Sequence, residues 1–117
     1  MKIRIKGNSL RYRLTRPEVA KLGTDAYLED TTAFTGGTFI YAIEATQNDK
    51  LLAEFINNKI TLKMPQRMID ELVNTDTVGF DDHSGTVSLL VEKDFVCIDN
   101  TTEDQRDNYP NPSLTCQ

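Results

Sequence analysis

Residues Asn58 to Leu72 read NKITLKMPQRMIDEL, and residues Asn8 to Leu22 read NSLRYRLTRPEVAKL. Shifted by fifty residues without gaps, the two stretches pair Leu10 with Ile60, Tyr12 with Leu62, Leu14 with Met64, Val19 with Ile69 and Leu22 with Leu72. Asn8 meets Asn58, and Arg13 meets Lys63. In both, the apolar residues first alternate, as in a strand covered on one face, and then fall three residues apart, as on a helix. Five matched apolar positions and a matched turn asparagine point to a duplicated unit running strand, turn, strand, helix, strand, strand. The expected fold is α+β and strand-dominated. It is a compact barrel or sandwich of two similar β-β-α-β-β halves, about 1–46 and 51–94, with two short helices.

Outward from the first copy, Lys2 to Lys6 alternates strictly, with Lys2, Arg4 and Lys6 on one face and Ile3 and Ile5 on the other. Gly7-Asn8 is a turn dipeptide, and beyond it Leu10, Tyr12 and Leu14 alternate with Arg11 and Arg13. A two-residue loop pairs Lys6 with Ser9, Ile5 with Leu10, Arg4 with Arg11, Ile3 with Tyr12 and Lys2 with Arg13. The inner face is then Ile3, Ile5, Leu10 and Tyr12, and the outer face is a ladder of like charges. Opposed like charges destabilise a strand pair. Acidic side chains from a neighbouring strand, solvent or an anionic partner must offset them.

Thr15 is a cap, Pro17 and Glu18 suit a first helical turn, Val19 and Leu22 make an apolar stripe, and Gly23 is a stop. Tyr27 to Phe34 reads as a strand, Gly36-Gly37 as a turn, and Thr38 to Ala45 as a strand with Phe39, Tyr41, Ile43 and Ala45 on one face. Gln47, Asn48 and Asp49 form a polar connector. Leu51 to Ile56 and Lys59 to Met64 are strands around Asn57-Asn58, and Pro65 opens a helix bearing Met68, Ile69 and Leu72. Thr77 to Phe80 is a short strand, Asp81 to Gly85 a turn, and Thr86 to Glu92 a strand continued through Phe95 to Ile98. A single domain is expected over 1–98. Residues 99–117 form a polar tail in which Pro110 and Pro112 exclude regular structure.

The charge is unevenly spread. The net charge is −5, yet residues 1–22 hold seven basic residues and one acidic one. Lys2, Arg4, Lys6, Arg11, Arg13 and Arg16 are therefore the candidate site for nucleic acid or another anion, since a basic two-stranded ribbon suits a phosphate backbone. An acidic protein repels a duplex beyond such a patch, so pairing of the cations within the fold is the competing reading. In the tail, Asp99, Glu103, Asp104 and Asp107 supply oxygen ligands without the spacing of an EF-hand, and they could equally lie across the basic hairpin. His83, in DDHSG, reads as a surface-turn histidine. With Cys97 and Cys116 it falls short of a zinc set, and no motif supports a His83–Cys97 catalytic pair. The two cysteines are expected to be free thiols. Gly36-Gly37 lacks the lysine and helix of a phosphate loop.

GNSLRYRLTRPEVAKLG (Gly7 to Gly23) and ITLKMPQRMIDELVNTDTVGF (Ile60 to Phe80) resemble AbrB/MazE-type swapped-hairpin domains, with Met64-Pro65 in the place of that family's isoleucine-proline pair. Pro17 sits two residues late, a departure from the pattern. The resemblance implies an interleaved barrel, made here by two copies in one chain, and DNA binding through the basic hairpin. MKIRIKGNSLRYRLTRPEV, LLVEKDFVCID and DNYPNP also resemble an uncharacterised family of short bacterial proteins, over nearly the full length. That second likeness implies no activity.

No apolar run approaches the roughly 18 residues of a membrane span, and no apolar stretch follows the basic N-terminus as in a signal peptide. The expectation is a non-enzymatic, cytoplasmic binding or regulatory module without cofactor or bound metal, monomeric or dimeric. Its partner is a protein or an anionic ligand. The alternative is a DNA-binding AbrB/MazE-like regulator or antitoxin-like protein.

Overall fold

A computed structural model describes residues 1–95. The tail carboxylates, Cys97, Cys116, the strand continuation to Ile98 and the boundary at 98 lie outside the described residues.

Alternation and turn chemistry build the two opening hairpins. Strand β1 (Lys2–Lys6) pairs antiparallel with β2 (Ser9–Leu14) in the expected register, from Lys2 opposite Arg13 to Lys6 opposite Ser9. Gly7 turns the chain at φ +55°, a left-handed conformation glycine adopts without a Cβ penalty. The later hairpin joins β5 (Leu52–Ile56) to β6 (Lys59–Pro65) through Asn57 and Asn58, at φ +53° and +63°. Asparagine is among the few side chains that tolerate this region.

Each hairpin feeds a helix. Helix α1 (Arg16–Asp25) starts after Thr15, with Pro17 in its first turn. Glu18 Oε1 accepts hydrogen bonds from Thr15 N at 2.8 Å and Thr15 Oγ1 at 3.0 Å. Glu18 also meets the Met1 ammonium. Burial pushes its carboxyl up, but the hydrogen bonds from the ammonium and Thr15 outweigh this and hold it below its ordinary value. Gly23 does not end α1, contrary to expectation. The helix runs to Asp25, and Ala26 takes the left-handed cap at φ 60°, donating its N–H to the Leu22 carbonyl at 2.9 Å. Helix α2 (Gln66–Asn74) begins directly after Pro65 and buries Met68, Ile69 and Leu72.

The remaining strands are β3 (Tyr27–Phe34), β4 (Gly37–Thr46), β7 (Gly79–Asp82) and β8 (Ser88–Lys93). Strand β7 starts two residues later than expected. Thr77 N donates to Thr75 Oγ1 at 3.1 Å and Thr77 Oγ1 donates to Glu71 Oε2 at 2.7 Å. These local bonds hold residues 75–77 against the end of α2 and out of the ladder.

The strands form two four-stranded sheets, β1-β2-β8-β7 and β3-β4-β6-β5. Each sheet joins a hairpin from one half to a hairpin from the other. The central pairs, β2 with β8 and β4 with β6, are parallel. Their registers correspond: Tyr12 faces Val91 as Leu62 faces Ile43, and Leu10 faces Leu89 as Ile60 faces Tyr41. Both sheets are open, which corrects the barrel expectation. Among the described residues β1, β7, β3 and β5 end their sheets, and no ladder joins one sheet to the other. The core lies between the sheets and helices and includes Leu10, Tyr12, Leu14, Val19, Leu22, Ile43, Leu62, Met64, Ile69, Leu72 and Val91. Nine of the ten apolar residues matched between the halves are buried, and Ile60 is half-buried. Ile5, expected on the inner face, is 59% exposed instead, because it lies near the hairpin tip at the edge of this cover.

Candidate anion-binding hairpin

Five of the six candidate cations come together on the β1–β2 hairpin, and the sixth does not. Lys2 lies opposite Arg13 and Arg4 opposite Arg11, so the like-charge ladder is present. Lys6 sits at the tip opposite Ser9. Arg16 stands apart at the start of α1, where it lines a groove of about 600 Å³ with Leu14, Val19, Leu72, Asp94 and Phe95.

The charges that answer this ladder come from β8. Parallel pairing places Glu92 opposite Arg13. Glu92 Oε1 accepts from Arg13 Nε at 2.8 Å and lies 3.7 Å from Arg11 Nε. Just beyond β8, Asp94 Oδ2 is 3.0 Å from Lys2 Nζ. One carboxylate thus serves two half-buried guanidiniums, and a second serves a lysine. Arg4 and Lys6 are exposed and have no carboxylate within 4 Å among the described residues. Among the described residues the ladder is answered on β2 and, on β1, at Lys2 alone.

Beside the hairpin tip the opposite face is mainly apolar, with Glu54, 3.1 Å from Lys63 Nζ, among its lining residues. Ile5, Leu10, Ala53, Phe55, Ile60 and Val87 line a cleft of about 170 Å³ between the two opening hairpins. Phe55, at 67% exposure, stands open at its mouth. Sequence reasoning placed the cations but not this cleft, nor Glu92 and Asp94 as their partners. The matched positions of Ile5 and Phe55, fifty residues apart, were the available signal for the cleft.

The other candidates are placed more simply. His83 lies in an exposed loop with Nε2 3.0 Å from Asp81 Oδ2. Among the described residues no three of histidine, cysteine, aspartate and glutamate are grouped to hold a metal ion. No helix of the described residues is long and apolar enough to cross a membrane.

Replacing Glu92 with glutamine should lower stability by about 1 kcal/mol, the scale of a charge-assisted hydrogen bond discounted for partial exposure. The loss should shrink in about 1 M salt, where the stranded guanidiniums repel less. Urea midpoints at low and high salt would measure this, and equal midpoints for the two proteins would contradict it.

The fold and site define a strand-rich α+β protein of two four-stranded sheets and two helices with a cationic edge hairpin. The chain belongs to a family of unknown function, DUF7009, whose family model matches residues 1–113. No curated protein and no solved structure matches it.

Proposed function

We propose that this chain is a non-enzymatic binding or regulatory module of the cytoplasm, and that its ligand-facing surface is the β1 edge of the basic hairpin. The supporting observation is the uneven answer to the charge ladder. Arg11 and Arg13 share Glu92 and Lys2 meets Asp94, whereas Arg4 and Lys6 project from an edge strand without such partners among the described residues. Stability alone would favour a neutral side chain at Arg4, which lies opposite Arg11, because opposed like charges cost free energy. An anionic ligand laid along β1 supplies the missing carboxylates or phosphates.

DNA binding is the second reading, favoured by the two-stranded ribbon itself, which has the width to enter a major groove. Internal pairing weakens it, since on the hairpin only Arg4 and Lys6 remain for phosphates among the described residues. The joining of one hairpin from each half in both sheets and the matched registers support reading the halves as tandem copies of one unit, the arrangement implied by the AbrB/MazE resemblance.

The test is fluorescence anisotropy of a labelled polyglutamate and a labelled mixed-sequence duplex at about 50 and 200 mM salt. Two contacts predict duplex binding that weakens on the order of 12-fold between those salts. Arg4→Glu with Lys6→Glu should abolish binding of either probe, and Glu92→Gln should strengthen it by releasing Arg11 and Arg13. Binding untouched by the double reversal would move the site elsewhere, and no binding of either probe would sink the reading.

A further inference from the structure

We infer that the β1 edge takes an extended peptide of alternating acidic and apolar residues, added as a fifth strand. This rests on the hairpin being the ligand surface and names the partner's chemistry.

Three observations meet at this edge. First, β1 is the end strand of its sheet and pairs only with β2 among the described residues, so its outer row of backbone groups is open to another strand. Second, its two faces differ: Lys2, Arg4 and Lys6 on one, Ile3 and Ile5 on the other. Third, the cleft of Ile5, Leu10, Ala53, Phe55, Ile60 and Val87 lies on the Ile5 side, with room for one branched aliphatic or aromatic side chain. Backbone ladders give such strand addition its affinity, and alternate side chains give it selectivity. A strand whose carboxylates fall on the cationic face necessarily turns its intervening residues toward the cleft.

The same edge rejects itself. Two copies of β1 paired antiparallel about Arg4 would place Arg4 opposite Arg4 and Lys2 opposite Lys6. Basic residues on an edge strand commonly guard against self-association, and here they also select for an acidic strand.

The experiment uses the full chain and a fluorescein-labelled nine-residue peptide of alternating glutamate and valine, followed by anisotropy. Three comparison peptides accompany it: one with the same residues and the glutamates clustered, and two N-methylated on alternate residues along one edge or the other. The alternating peptide should bind at least about tenfold tighter than the clustered one, the scale of two cross-strand ion pairs. N-methylation should abolish binding along one edge and leave it intact along the other. Ile5→Asp, at an exposed position, should weaken binding about tenfold without changing the melting temperature.

Equal effects of methylation on both edges would overturn strand addition. Duplex binding without peptide binding would also overturn it, while leaving the hairpin as an anion site. Failure of every anionic probe would remove the proposed site itself. A dimer in sedimentation that resists Arg4→Glu and blocks the peptide would show a second copy as the occupant, and would overturn the inference too.

Discussion

Tyr12→Ala should lower the stability of the fold by about 3–5 kcal/mol, the range for emptying a fully buried aromatic site. A domain of this size has about 5–15 kcal/mol in total, so the variant should be partly unfolded at 37 °C. The position explains the size of the effect. Tyr12 has 0% exposure and stands between Ile3 on β1 and Val91 on β8. Its ring meets Tyr41 edge-on at 6.5 Å, and its hydroxyl donates to the Ile60 carbonyl at 3.4 Å. It therefore ties the first sheet to β4 and β6 of the second.

Tyr12→Phe separates packing from the hydroxyl. At neutral pH it should cost about 0.5–1.5 kcal/mol, the value of one hydrogen bond. Burial pushes the Tyr12 phenol far above its ordinary value. The folded state thus holds this proton more tightly than the unfolded chain does. The resulting stabilisation is complete below about pH 10, where the unfolded tyrosine titrates, and is lost as pH rises above it. Tyr12→Phe should lose less stability in that alkaline window. Urea midpoints at about pH 7 and pH 11 would read this, and parallel losses in the two proteins would show that Tyr12 is not the group responsible.

The hairpin was legible because its information is local. Strict alternation from Lys2 to Leu14 around a two-residue turn permits one register that buries Tyr12 and Leu14, and that register forms. The cap at Thr15 and the apolar stripe from Val19 to Leu22 were legible for the same reason. What failed was non-local. Nothing near β2 in sequence identifies β8 as its parallel neighbour, because Arg13 and Glu92 are 79 residues apart. The countercharges could be anticipated as a need but not assigned. The sheets' failure to close has the same origin, since alternation specifies which face is buried and not what an edge strand meets. Gly23 misled because a glycine suited to a helix end was tolerated inside one, and Ala26 took the left-handed cap.

Gly79→Ala should cost about 2–3 kcal/mol, the upper range for overpacking by one carbon. Gly79 faces Glu92 across the β7–β8 ladder. A Cβ there would lie 2.3 Å from the Val91 carbonyl oxygen and 2.8 Å from both Cα and Cβ of Glu92. Main-chain atoms of a central strand cannot swing aside as a long side chain can. Either β7 parts from β8 at its first residue, or β8 shifts under the hairpin. These outcomes are separable. If β7 parts, amide exchange should quicken in residues 79–82 while Glu92 keeps Arg11 and Arg13, and the polyglutamate affinity should be unchanged. If β8 shifts, the carboxylate leaves the guanidiniums, and Gly79→Ala should strengthen polyglutamate binding as Glu92→Gln does. A double-mutant cycle decides between them. Additive effects of Gly79→Ala and Glu92→Gln on binding would confine the damage to β7, whereas no further gain in the double variant would place both on one route. We expect the second result, because two of the three closest approaches are to Glu92 itself. That result would make the small residue at Gly79 what allows the Glu92 carboxylate to reach Arg11 and Arg13, and would connect a steric requirement on one edge of the sheet to the charge presented on the other.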